Sequence, residues 1–256
     1  MSYTFNFVSW NCRGGVTQFR KQRSIRSFVS TLNLSVIGLI ETKRGSFDDF
    51  LIQKLWPNLD FDYCFSSSSG ASGGLLCIWN SSLITPTRII KSERWISADF
   101  MWFTTPIRFI LVYANNCHIA RGNHWNALLP EISCDSICIL SGDFNEVLEP
   151  SERVGCSSFS QSMIAFSDFI NSSGLLEIPL QGRFFTSQNS FPKSTLDRCF
   201  VSNSAFLTWP HIHLKALARS FSDHVPIAFS SSSTIDWGPR PFRSINAWWK
   251  CNTPKY

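Results

Sequence analysis

Apolar residues fall in short runs along the chain, broken by Gly, Ser, Asn and Pro. Runs at 5–12, 35–41, 74–79, 95–103, 107–114, 136–141, 196–202, 211–217 and 224–230 have the length and bounding residues of β-strands. The run at 95–103 sets Ile96, Ala98, Phe100 and Trp102 against Trp95, Ser97, Asp99 and Met101, the period of two expected of a sheet. Between the strands, helical spacing appears at 19–32, 47–55, 123–132 and 161–171. In the last of these, Ile164, residues 166–169 and Ile170 form one broad apolar face. Many strands with a few helices spread along the chain predict an α+β or layered sandwich and argue against a bundle. Serine tracts at 66–69 and 230–233 read as loops, the first approaching a hairpin before Gly73-Gly74, the second marking the domain's edge.

Composition narrows the class. Hydrophobic residues make up 44% and charged residues 16%, against roughly 25% charged in an average soluble chain. That excludes a disordered tail or a coiled coil. No run approaches the roughly 18 apolar residues of a membrane span, and the start has neither the basic nor the apolar region of a secretory leader. An intracellular protein without membrane contact is expected. The net charge of +5 suits an anionic partner. Nine cysteines include no Cys-x-x-Cys pair, and Cys134 and Cys138 have no matching Cys/His pair nearby, so buried reduced thiols are expected in place of zinc. One domain over 1–230, followed by a Pro-broken C-terminal extension over 231–256, is the simplest division.

The polar residues most in need of explanation lie at strand ends. Asn11 closes the first strand, Glu41 the second, and Asp143 and Asn145 follow the run at 136–141; Asp197 opens one strand and Asp223-His224 the last. If the strands are neighbours in packed sheets, these residues converge on one rim. Clustered carboxylates cost free energy unless a cation neutralises them. All-oxygen donors favour Mg²⁺ or Mn²⁺ over zinc, and Mg²⁺ leaves positions for phosphate oxygens. Each residue also has an ordinary reading: Glu41 as a strand-end carboxylate, the Ser141–Asn145 turn as an Asx-turn, Asp197-Arg198 as an edge pair, His224 as a satisfied loop histidine and Tyr113 as core.

Taken in order, Ser9-Trp-Asn-Cys-Arg-Gly14, Ile40-Glu-Thr-Lys43, Val112-Tyr-Ala-Asn115, Ser141-Gly-Asp-Phe-Asn-Glu146, Ser194-Thr-Leu-Asp-Arg198 and Ser222-Asp-His-Val-Pro226 resemble the endonuclease/exonuclease/phosphatase superfamily. More narrowly they resemble the endonuclease domain of plant LINE-type non-LTR retrotransposons. Glu149-Pro-Ser-Glu-Arg153, the segment 179–186 and Gly238-Pro-Arg-Pro-Phe-Arg243 add to the likeness.

The resemblance implies a DNase I-like, four-layered α/β sandwich: two mixed β-sheets face to face with helices outside. It implies Glu41 as main metal ligand, helped by Asn11 and Asp223, and Mg²⁺ (or Mn²⁺) as cofactor. Asp143 would act on the attacking water or the leaving oxygen, Asn145 and Tyr113 would hold phosphate oxygens, and His224, held by Asp197, would contact the phosphate or assist the water. Arg13, Lys43 and Arg198 adjoin these motifs and are expected to contact the DNA backbone, whereas Arg20–Arg26 reads as the solvated face of a helix. DNA nicking that leaves a 3′-hydroxyl, a reverse transcriptase encoded downstream as partner, and a nuclear setting are implied with it. Other superfamily substrates (abasic DNA, RNA, a phosphorylated inositol) and an inactive nucleic-acid-binding module remain the alternatives. Ser187 stands where plant relatives carry Trp, Ile40 where Gln is frequent and Thr195 where Arg is frequent.

Overall fold

The structure, a computed structural model, describes residues 4–69, 72–132, 136–188 and 192–231. The first sheet has seven strands in the order β10 (Leu180–Gln181), β14 (His213–Ala216), β15 (Ile227–Ser230), β1 (Asn6–Asn11), β2 (Val36–Ile40), β4 (Ser72–Trp79) and β3 (Asp62–Ser69). The second has six: β5 (Pro86–Lys91), β6 (Trp95–Trp102), β7 (Thr105–Tyr113), β8 (Ile137–Asp143), β13 (Asp197–Val201) and β9 (Leu176–Glu177). A ribbon of β11 (Ser187–Gln188) and β12 (Lys193–Ser194) stands apart. The helices are α1 (Phe19–Thr31), α2 (Asp49–Leu55), α3 (His118–Leu128), α4 (Gln161–Ser173) and α5 (Asn203–Thr208).

Strand alternation builds the layers. Phe5 and Phe7, Val36 and Ile40, Phe109 and Leu111, Ile137 and Ile139, and Cys199 and Val201 fill the core between the sheets. The intervening positions face outward: Val8, Trp10, Ile37 and Leu39 pack under Ile25 of α1 and Ile52 of α2. On the opposite side, Ile110, Val112, Leu140 and Phe200 pack under Trp125 of α3 and Phe166 of α4. The result is a four-layered α/β sandwich of mixed sheets. Each buried aromatic ring in it contributes about 1.5–3 kcal/mol.

The sheets approach closely because Gly38 faces Leu111, where a Cβ would lie 2.5 Å from a leucine methyl. Gly142 fixes the second sheet in the same way, since a Cβ there would lie 2.0 Å from the Val112 carbonyl oxygen.

Several elements differ from the sequence pattern. The serine tract expected as a loop forms the second half of β3, an edge strand whose exposed side tolerates polar residues. β5, another edge strand, carries mostly exposed residues and a register shift near Pro86, which hides its period. The helix expected at 123–132 starts at His118 and gives way to a 3₁₀ turn at Leu129–Glu131, because Pro130 disfavours continued α-helix. On α4 the buried face is Met163, Phe166 and Phe169, with Ile164 exposed. Cys134 and, beyond Ser231, the expected C-terminal extension lie outside the described residues. Among the described residues, no helix is long and apolar enough to cross a membrane.

Candidate active site

β1 and β2 run parallel, and β15 pairs with β1 antiparallel, so the ends of the first two meet the approach to the third at one rim. β7 and β8 are likewise parallel, and β13 runs antiparallel to β8. At this end the inward positions turn from apolar to polar. After Phe5 and Phe7 come Ser9 and Asn11; after Ile137 and Ile139 come Ser141 and Asp143; before Cys199 comes Asp197. Tyr113 and Asp197 are both register partners of Asp143. The period of two therefore delivers these side chains into the seam between the sheets, where Ser9 and Ser141 hydroxyls already hydrogen-bond at 2.8 Å.

Asn11 ties the two halves together. Its Nδ2 donates to Asp143 Oδ2 at 2.8 Å and to Glu41 Oε1 at 3.3 Å, while its Oδ1 accepts from the Arg13 backbone N–H at 3.0 Å. The Tyr113 hydroxyl donates to Glu41 Oε1 at 2.8 Å. The Asn145 backbone N–H donates to Asp143 Oδ1 at 2.9 Å, and its Nδ2 to the Ala114 carbonyl at 2.8 Å. His224 Nδ1 donates to Asp197 Oδ2 at 2.8 Å, leaving Nε2 3.8 Å from Asp143 Oδ2 and 3.3 Å from Ser187 Oγ. Arg13, Glu41, Lys43 and Asn145 all have φ near +50°. Such backbone strain in side-chain-bearing residues gathers where function over-determines it.

The charges are set by burial and proximity. For His224, burial opposes the imidazolium, but Asp197 and Asp143 outweigh it and raise its pKa to about 10. Burial also lifts the Asp143 carboxyl, with Asp197 adding to the rise and His224 opposing it, to about 6. Tyr113 is held strongly in its phenol form by burial and by Glu41. At neutral pH the seam thus presents an imidazolium beside a carboxylate that exchanges its proton close to neutrality.

The remaining expected residues divide. Asp223 lies at the rim in an ion pair with Arg13, and Ser222 beside it donates to the Asn11 carbonyl at 2.8 Å. Lys43 Nζ is 3.8 Å from Glu41 Oε2 and reaches solvent. Arg198, expected on DNA, is instead 2% exposed, with its two terminal nitrogens on Glu177 and Glu152, so the guanidinium is buried out of reach of a phosphate. Lys21, within the stretch expected as a solvated face, is buried with its Nζ on the Cys12 and Gly14 carbonyls, shaping the turn that presents Arg13. Sequence reasoning missed Arg94, whose guanidinium lies 5.2 Å over the Tyr113 ring. It also gave no role to Thr186, whose Oγ1 accepts the Asp197 N–H at 2.9 Å, or to Ser187. A threonine next to a motif carries no distinguishing sequence signal.

Asp143, Asp197 and His224 offer three ligand atoms within 4.8 Å of one another, a spacing that can hold a metal. Glu41, partly exposed and presenting carboxylate oxygens beside Asn11 and Asp143, has the hard-donor chemistry of a Mg²⁺ or Mn²⁺ site.

The sequence matches the profile described as "Endonuclease/Exonuclease/phosphatase family" over residues 8–224. The chain belongs to this family. Its members are typically divalent-metal dependent, and membership makes the chain a phosphoesterase. Solved structures agree on a DNase I-like fold. An AP endonuclease (LMAP) from Leishmania major is 13% identical with a TM-score of 0.70, over 89% of this chain and 87% of that one. The 3′ phosphatase NExo from Neisseria, bound to product DNA hairpin, is 18% identical with a TM-score of 0.68, over 91% and 100%. The endonuclease domain of TRAS1, a telomere-specific non-LTR retrotransposon, is 10% identical with a TM-score of 0.63, over 89% and 98%. No curated protein matches the sequence.

Proposed function

We propose that this family member is a Mg²⁺-dependent DNA endonuclease that nicks target DNA for retrotransposon integration. The observation that carries the reading is the seam itself: Glu41 and Asp143 joined through one Asn11 amide, beside the His224–Asp197 pair. A divalent cation held by Glu41, with Asn11 and Asp223 nearby, would neutralise charge on the phosphate. Asp143, ionised above pH 6, takes the proton of the attacking water. His224 as imidazolium places positive charge where the phosphorane develops negative charge, and Asp197 fixes its ring. Tyr113 holds Glu41, and with Asn145 it would contact the phosphate oxygens. Arg13 and Lys43, both reaching solvent, suit contact with neighbouring phosphates. The DNA-bound and retrotransposon neighbours support this substrate class, and a downstream reverse transcriptase and a nuclear setting belong to the same reading.

A supercoiled-plasmid assay tests it. Conversion to open circle should require Mg²⁺ or Mn²⁺ and stop with chelator, and the nicks should prime a DNA polymerase directly. Glu41→Gln and Asp143→Asn should each lower the rate at least about 10²-fold. No nicking with either metal, or wild-type rates in Glu41→Gln, would overturn the assignment.

A further inference from the structure

Two basic clefts meet at one exposed ring. The first, of about 590 Å³, opens beside the seam and is lined by residues including Arg13, Arg219, Phe221 and Asp223. The second, of about 480 Å³, runs along α1 past Arg20, Arg23 and Phe28. Phe221 lines both. It is 51% exposed and has φ +48°. An apolar ring in water and a bulky residue in the left-handed region are each unfavourable, and Phe221 belongs to none of the three apolar cores. The Arg20 guanidinium lies 6.0 Å from the ring centroid, and Arg219 is exposed two residues away. An exposed ring between cations is the chemistry that holds single-stranded nucleic acid: the ring takes a base face and the guanidinium groups take flanking phosphates.

We propose that Phe221 stacks on an unpaired nucleobase of the substrate strand, close to the scissile phosphate, with Arg20 and Arg219 on the adjoining phosphates. The proposal rests on the DNA reading above. Phe221 is three residues from His224, a span of at most about 11 Å of chain, so the base it holds lies within a nucleotide or two of the cut. Duplexes whose bases are already unpaired beside the nick are then cut faster, since unpairing no longer opposes stacking.

The test compares single-turnover cleavage of a fully paired duplex, the same duplex with a two-nucleotide bubble at the nick, and bis(4-nitrophenyl) phosphate, a diester without a base. Phe221→Ala should lower the ratio of bubble-DNA cleavage to small-diester hydrolysis by about tenfold and erase the preference for the bubble. Phe221→Trp should keep both within about threefold. Should Phe221→Ala not fold, Phe221→Leu, apolar but without a π-face, carries the same expectation. A wild-type ratio and bubble preference in Phe221→Ala or Phe221→Leu would overturn the stacking assignment. Wild-type protein that hydrolyses the small diester but neither DNA would instead end the DNA reading.

Discussion

At His224 two opposing forces have a measurable resultant. Burial favours the neutral ring, yet Asp197 and Asp143 hold it charged, with a pKa of about 10 against about 6.5 for an unperturbed histidine. A folded-state pKa above the unfolded one contributes stability that is complete below about pH 6.5 and is lost as pH rises through about 10. The unfolding midpoint should therefore fall between pH 7 and 10, and fall less steeply in Asp197→Asn; equal slopes would refute the pairing. In nicking, His224→Ala should be the costlier single change and Asp197→Asn the milder, while the double variant loses little more than His224→Ala alone, because groups acting as a unit are not additive. Multiplicative losses in that double-mutant cycle would separate the two residues. Arg198 calls for a different measurement. Its buried guanidinium neutralises Glu152 and Glu177, so Arg198→Ala leaves unpaired carboxylates and should cost about 3–5 kcal/mol. A Tm drop on the order of 10 °C is expected, with the salt dependence of DNA binding unchanged in protein that remains folded. A wild-type Tm would place Arg198 among the surface cations after all.

The central strands were legible because both their faces are mostly apolar and their neighbours lie on either side: β1, β2, β7 and β8 read as nearly continuous apolar runs. Edge strands were not, since β3 and β5 are only partly covered and their serines and charged residues break the apolar pattern. The same logic separates site residues. Asn11, Asp143 and Asp197 sit at inward positions of central strands, where a polar residue contradicts its surroundings and so announces itself. Arg198 sits on the outward face of β13, and what buries it comes from Glu152 and Glu177, 46 and 21 residues away. Local pattern carries no record of such partners. Arg94 precedes β6, and only the β6–β7 pairing brings it to Tyr113.

Across the whole molecule, the +5 charge is not spread evenly in its availability. Arg121, Arg108, Arg198 and Lys21 are turned inward onto internal partners, whereas Arg13, Arg20, Lys43 and Arg219 reach solvent near the seam, Arg13 while paired with Asp223 and Lys43 beside Glu41. If they meet about four phosphates, log affinity should fall with log salt at a slope of about −3.6 for duplex DNA, measured with metal withheld; a nearly flat line would point to a small phosphate ester. The pairing of β1 with β15, Asn6 opposite Ser230, has a consequence for synthesis. The strand carrying Asn11 emerges from the ribosome early, but one side of it stays unsatisfied until residue 230 follows, more than two hundred residues later. Contacts of such separation form late and slowly, so a nascent chain holds Glu41 and Asp143 without His224 in place. If His224 carries the role proposed for it, the chain gains activity only once β15 has been made and has paired with β1.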